Sequence, residues 1–172
     1  MKIGKEYRSL IIKKYAGGNW TLVLHQDQLP YVGRCYVWWE DHSPREGEGL
    51  SPLDLPRQER NQLFEEVFPD VVKACAALGY RTEQYGEEFL LNMAYFANEE
   101  GHRHHMHWHF VPRTKRPIIV NAFLTGRKVE DIAWGRNYAS VKRSPIEDSI
   151  KLLIIRDTMA EAIGGTPPSR KY

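Results

Sequence analysis

Only two cysteines, Cys35 and Cys75, occur in the 172-residue chain, and they lack the number and spacing of a disulfide framework or a metal cassette. They read as free thiols in a reducing compartment. No run approaches the roughly 18 apolar residues of a membrane-crossing helix. The N-terminal stretch MKIGKEYRSLIIKKY has neither a long apolar run nor a small-residue cleavage site. These absences imply a cytoplasmic protein with no membrane partner. Charge of one sign is also scarce: 24 basic residues against 22 acidic ones leave +2, too little to argue for a nucleic-acid polymer as partner. Internal repeats and low-complexity tracts are missing, so a solenoid is excluded. What remains is 42% apolar and 27% charged, which suits one globular domain over residues 1–172 with a sizeable core.

Strand and helix patterns alternate along the chain. Asn19 to His25 (NWTLVLH) alternates and is rich in β-formers, a turn follows at Leu29 to Gly33, and Arg34 to Trp39 (RCYVWW) reads as a second strand. Ser43 to Pro56 reads as a loop. Pro56 to Gly79 carries Phe64, Val67, Val71, Ala74 and Leu78 at helical spacing. Pro69 is expected to kink this helix or to start a second one. Glu59, Glu65 and Glu66 read as charges on its surface. Leu90 to Phe96 and His105 to Val111 are strands close enough to pair as an antiparallel hairpin, the second ended by Pro112. Thr114 to Tyr138 is loop-like. Ser144-Pro145-Ile146-Glu147 has the form of a capping box, which predicts a helix over about 145–163 with Gly164 as its stop. The expected fold class is α+β, an antiparallel sheet with two main helices.

Chemistry concentrates in GHRHHMHWH, residues 101–109, where five of the seven histidines fall. On a strand, His105, His107 and His109 share one face while Met106, Trp108 and Phe110 share the other. A row of imidazoles backed by an apolar face is hard to explain by core packing alone. As a metal site the row is awkward. Neighbouring same-face positions lie roughly 6.5 Å apart and the outer two about 13 Å apart, so one zinc would need ligands from elsewhere. Covalent catalysis fits better. A neutral imidazole is a competent nucleophile near neutral pH, and flanking imidazoles can hold its tautomer and steady phosphate charge. His107, at the centre, is the expected nucleophile.

His105-Met106-His107-Trp108-His109-Phe110-Val111, followed by Pro112-Arg113, resembles the histidine triad family motif. Gly33 before a strand, His42 after it, Leu53-Asp54-Leu55 before the Glu59 helix, Asn92 to Asn98, and Trp134 to Tyr138 are similar to the family's order of elements, over roughly residues 19–140. The resemblance implies a histidine triad sheet-and-helix domain that pairs into a homodimer, with the C-terminal helix as an extension. It implies hydrolysis or nucleotidyl transfer at the α-phosphate of a dinucleotide, nucleotide or nucleoside phosphoramidate, through a nucleotidyl-His107 intermediate supported by His105 and His109. No cofactor or resident metal is expected. The rival is a non-catalytic nucleotide- or metal-binding module.

Two departures from the family pattern bear on the substrate. A histidine commonly follows the glycine at position 33, and here Arg34 stands there, either as a fixed charge for phosphate or as an exposed structural arginine. A glutamine or serine commonly precedes the triad by four residues, and here that position is Gly101. Asn98 and His102 are the candidates for its role near the leaving group. Arg113 is a substrate-binding candidate, with a solvated basic turn as its plain alternative. His25 reads as structural or near the nucleoside edge, and Trp38-Trp39 as a half-buried strand pair.

Overall fold

A computed structural model describes residues 8–40, 51–80, 89–96, 106–114 and 142–169. Its strands are β1 (Ile11–Lys14), β2 (Trp20–Leu24), β3 (Cys35–Trp39), β4 (Phe89–Phe96) and β5 (His107–Thr114). They form one antiparallel sheet in the order β1-β2-β3-β5-β4. The helical segments are α1 (Arg57–Gln62), a π turn (Leu63–Val67), α2 (Phe68–Ala77) and α3 (Ser149–Ala162). The fold class is therefore α+β, as composition and periodicity led us to expect.

Strand alternation divides the sheet. Trp20, Leu22 and Leu24 of β2, Cys35 and Val37 of β3, and Met106, Trp108 and Phe110 at β5 are buried in one core with Leu63, Val67, Val71, Ala74 and Leu78. Phe68 packs edge-on against Trp108 and Phe110, with ring centroids 6.2 and 5.4 Å away, and Trp20 meets Trp108 at 5.5 Å. Burying side chains of this size supplies most of the drive to hold α2 on the sheet. Helix α3 adds Ile155, Met159 and Ala160 to the same core and packs on α2 and β1.

Several element boundaries differ from the sequence reading. Strand β1 went unread, because IIKK is too short to show alternation. The long helix is broken by the π turn just ahead of Pro69. Proline has no N–H to donate and its ring crowds the carbonyl four residues back, and widening the preceding turn relieves both. The wider turn also shifts the buried stripe: Leu63 is buried, whereas Phe64 is 57% exposed. Glu59 is not a surface charge. It is buried, and its carboxylate accepts from the Asn19 backbone N–H at 3.2 Å and from Asn19 Nδ2 at 3.0 Å, clamping the β1–β2 turn to α1.

Pro112 does not end β5, which runs on to Thr114. Pairing with β3 stops at Cys35↔Phe110, so among the described residues β5 beyond that point is paired with β4 alone. A residue without an N–H is tolerated along such an unpaired edge. The C-terminal helix starts at Ser149, not near 145, and its cap is Asp148, whose side chain accepts from the N–H groups of Ile150 and Lys151. Ser144 instead forms a two-bond backbone bridge with Leu29. Gly164 follows the helix with φ +64°, the left-handed stop expected of it. Asp148→Ala should therefore lower stability by about 1 kcal/mol, while Ser144→Ala should change it by less than about 0.5 kcal/mol. Urea denaturation of both variants checks this, and the reverse order would restore the capping box at Ser144.

Candidate functional site

Strand β5 lies between β3 and β4, and its register sets the site. Tyr36 is opposite His109 and Trp38 is opposite His107, with Ala94 of β4 beyond His109. Cross-strand partners share a face, so these side chains stand on the side away from the helices. The His107 and His109 rings are 5.1 Å apart. Tyr36 stacks on His109 at 5.7 Å and 27°, and Trp38 lies 5.2 Å from Tyr36. The expected sharing of a face by His107 and His109 is thus met, with Trp108 and Phe110 in the core behind them. His105, Asn98, His102 and His42 lie outside the described residues.

A third imidazole joins the row from another strand. The β2–β3 ladder continues for one more bond, His25 N–H to the Arg34 carbonyl at 3.0 Å. This sets His25 and Arg34 side by side on the imidazole face. The His25 ring is 6.0 Å from His109 and 5.8 Å from Tyr36. The loop between them is braced by Gln28, whose amide is fully buried. Its Nε2 donates to the Arg34 carbonyl at 2.8 Å and to the His25 carbonyl, and its Oε1 accepts from Gly33 N–H at 2.7 Å. Gly33 has φ +89°, and a Cβ there would come within 2.7 Å of Leu78, so both conformation and space require glycine.

Hydrogen bonding fixes the state of His25. Its Nδ1 accepts from the Asp27 backbone N–H at 2.9 Å, so the neutral ring carries its proton on Nε2. Arg34 is buried, with its Nη1 3.4 Å from that same Nδ1 and 3.8 Å from Asp27 Oδ2. The exposed structural reading of Arg34 is thereby ruled out. Arg113 is not a solvated turn residue either: it is 4% exposed, and its guanidinium lies 5.8 Å from the centre of the Tyr31 ring. It stands four and six residues beyond His109 and His107, and so on their face of β5.

Electrostatics keeps the His25 and His109 rings neutral. Burial, with the charges of Arg34 and Arg143 adding to it against the opposing pull of Asp27, holds His25 down to about 4. Burial also lowers His109, to about 3, helped by His107, Arg34, His25 and Arg143. His107 is the most enclosed of the three at 4% exposure. The arrangement can offer uncharged imidazole nitrogens beside fixed guanidinium charges, a combination suited to a phosphate.

Sequence reading missed Asp27, Gln28, Tyr36 and Arg143 as site residues, and it left His25 as structural or near the nucleoside edge, not in the imidazole row. His25 was within reach of it, because the parity of NWTLVLH places His25 with Thr21 and Val23 on one face. Arg143 was not, since it arrives through a backbone bridge between distant segments. No family model, curated protein or solved structure matches the chain.

The lowered histidines make stability depend on pH. An unfolded chain takes up these protons near 6.5, whereas the folded one resists until about 4 for His25 and about 3 for His109. The unfolded state therefore binds more protons in that window, and stability contributed above 6.5 is lost as pH falls through it. The urea midpoint should drop between pH 7 and pH 4, and the drop should be shallower in His109→Gln. Equal slopes in the two proteins would mean that His109 titrates normally.

Proposed function

We propose that the protein is a hydrolase or nucleotidyl transferase of the histidine triad type, acting at the α-phosphate of a nucleotide. The observation that carries this reading is the imidazole pair at 5.1 Å on the face of β5 opposite its core side chains, bordered by the buried guanidinium of Arg34. The His107 lone pair attacks phosphorus. The bond from phosphorus to the leaving group breaks with its electron pair, and the leaving group takes a proton. The nucleotidyl-imidazole then carries positive charge, which makes it a good leaving group in turn. Water attacks, the P–N bond breaks with its pair returning to the ring, and the water's proton is released. A second acceptor in place of water gives transfer. His109, kept neutral, and the guanidinium groups of Arg34 and Arg113 support the phosphate.

Removing the nucleophile takes away a bond that no neighbour replaces. His107→Ala should abolish turnover of adenosine phosphoramidate and diadenosine polyphosphates while nucleotide binding is largely kept. His109→Ala should be less damaging, because electrostatic help is partial. Substantial turnover by His107→Ala would refute the reading, and loss of turnover on metal chelation would favour a metal site.

The same reading includes a homodimer. Among the described residues strand β4 is the sheet edge, and Met93 on it is 55% exposed. Met93 pairs with Phe110, on which Phe68 packs, and Phe64 meets Phe68 edge-on at 5.2 Å. Phe64, Phe68 and Met93 thus make an apolar patch beside a strand that is the edge among the described residues, a feature that proteins ordinarily cover. Light scattering at micromolar concentration should give twice the chain mass, and Met93→Lys should shift it toward one. A wild-type monomer would contradict this.

A further inference from the structure

Tyr36 links the imidazoles of two different strands. It stands on β3 between Val23 of β2 and His109 of β5, its direct cross-strand partners, and it is buried. Its ring stacks on His109, with centroids 5.7 Å apart and planes 27° apart. His25 meets it edge-on at 5.8 Å and 76°, and Trp38 lies at 5.2 Å and 55°. All three separations fall in the range of attractive aromatic contact. His25 and Trp38 thus hold the Tyr36 ring, and the Tyr36 ring lies flat on His109.

Strand geometry fixes where the His109 side chain leaves the backbone, but not how its ring turns. The last torsion of a histidine is broad and roughly two-fold, so the direction of the ring nitrogens is set by what touches the ring. His107 is tilted to His109 at 5.1 Å and 57°, and His25 at 6.0 Å and 50°. Tilted neighbours limit how far the ring can travel, whereas a near-parallel one fixes its plane. Tyr36 is near-parallel. The plane it imposes decides whether a nitrogen of His109 faces the space beside His107, where a phosphate bonded to His107 would lie.

We infer that Tyr36 is a positioning residue, whose ring, and not its hydroxyl, sets the plane of His109 for contact with the phosphate. The contact rests on the reading of His107 as the nucleophile; the setting of the plane does not. Tyr36→Leu should lower kcat/KM for adenosine phosphoramidate about tenfold or more, mostly in kcat, because a small misplacement of a supporting group has a large effect on the chemical step. Tyr36→Phe, which keeps the ring, should recover most of that loss. Added to His109→Ala, Tyr36→Leu should cost less than about a further twofold, since a residue that acts through His109 has nothing left to place. A merely structural role would add its loss in full.

Histidine ring-proton NMR separates the plane from the chemistry, with the His109 signals assigned by their loss in His109→Gln. Stacking on Tyr36 should shift them upfield in the wild type and in Tyr36→Phe, and the shift should vanish in Tyr36→Leu. That pattern in a protein that turns over no nucleotide supports the placement of His109 by Tyr36 and removes the hydrolase reading. Turnover by the wild type with unchanged kcat/KM in Tyr36→Leu, or with losses that add in full to His109→Ala, overturns the inference. Failure of Tyr36→Phe to recover activity moves the role to the hydroxyl and overturns it too. So do unshifted His109 ring protons in the wild type, a result that needs no variant of Tyr36 to fold.

Discussion

The two-residue period of β5 governs both halves of the molecule. Trp108 and Phe110 are gripped by Phe68 and Trp20 on one side, and this fixes which way every other side chain of the strand must point. A slip of one residue would drive imidazoles into the core and tryptophan onto the opposite face. Burial of the aromatic side is thus what holds His107 and His109 in place, and the chemistry proposed for them depends on a packing interaction that touches no substrate.

Around that strand, the site is built from separate anchors. Gln28 and Gly33 shape the β2–β3 loop so that His25 and Arg34 stand together. Asp27 sets the His25 tautomer through its backbone N–H and moderates Arg34 through its carboxylate. Low polarity and nearby guanidinium charge then keep His25 and His109 unprotonated. Imidazoles in that state can share a small space without mutual repulsion, which is what a compact cluster of them requires.

Periodicity in the sequence was enough to read the imidazole face, strands β2 and β3, the β4–β5 pair and the helix stop at Gly164, because each is written in local residue order. Features that depend on contacts between distant segments were not readable. The burial of Glu59 depends on Asn19 lying across α1. The continuation of β5 through Pro112 depends on where β3 stops. Asp148 took the cap because Ser144 was engaged by Leu29, and Arg143 gained its place through the same bridge.

The central claim is that phosphorus becomes bonded to His107. Millisecond quenching of the wild-type protein with adenosine phosphoramidate, without acid, followed by intact-mass and peptide analysis, tests it most directly. The account predicts an added adenylyl group on the peptide that contains His107. An adduct on another residue, or turnover with no adduct at any quench time, would contradict it.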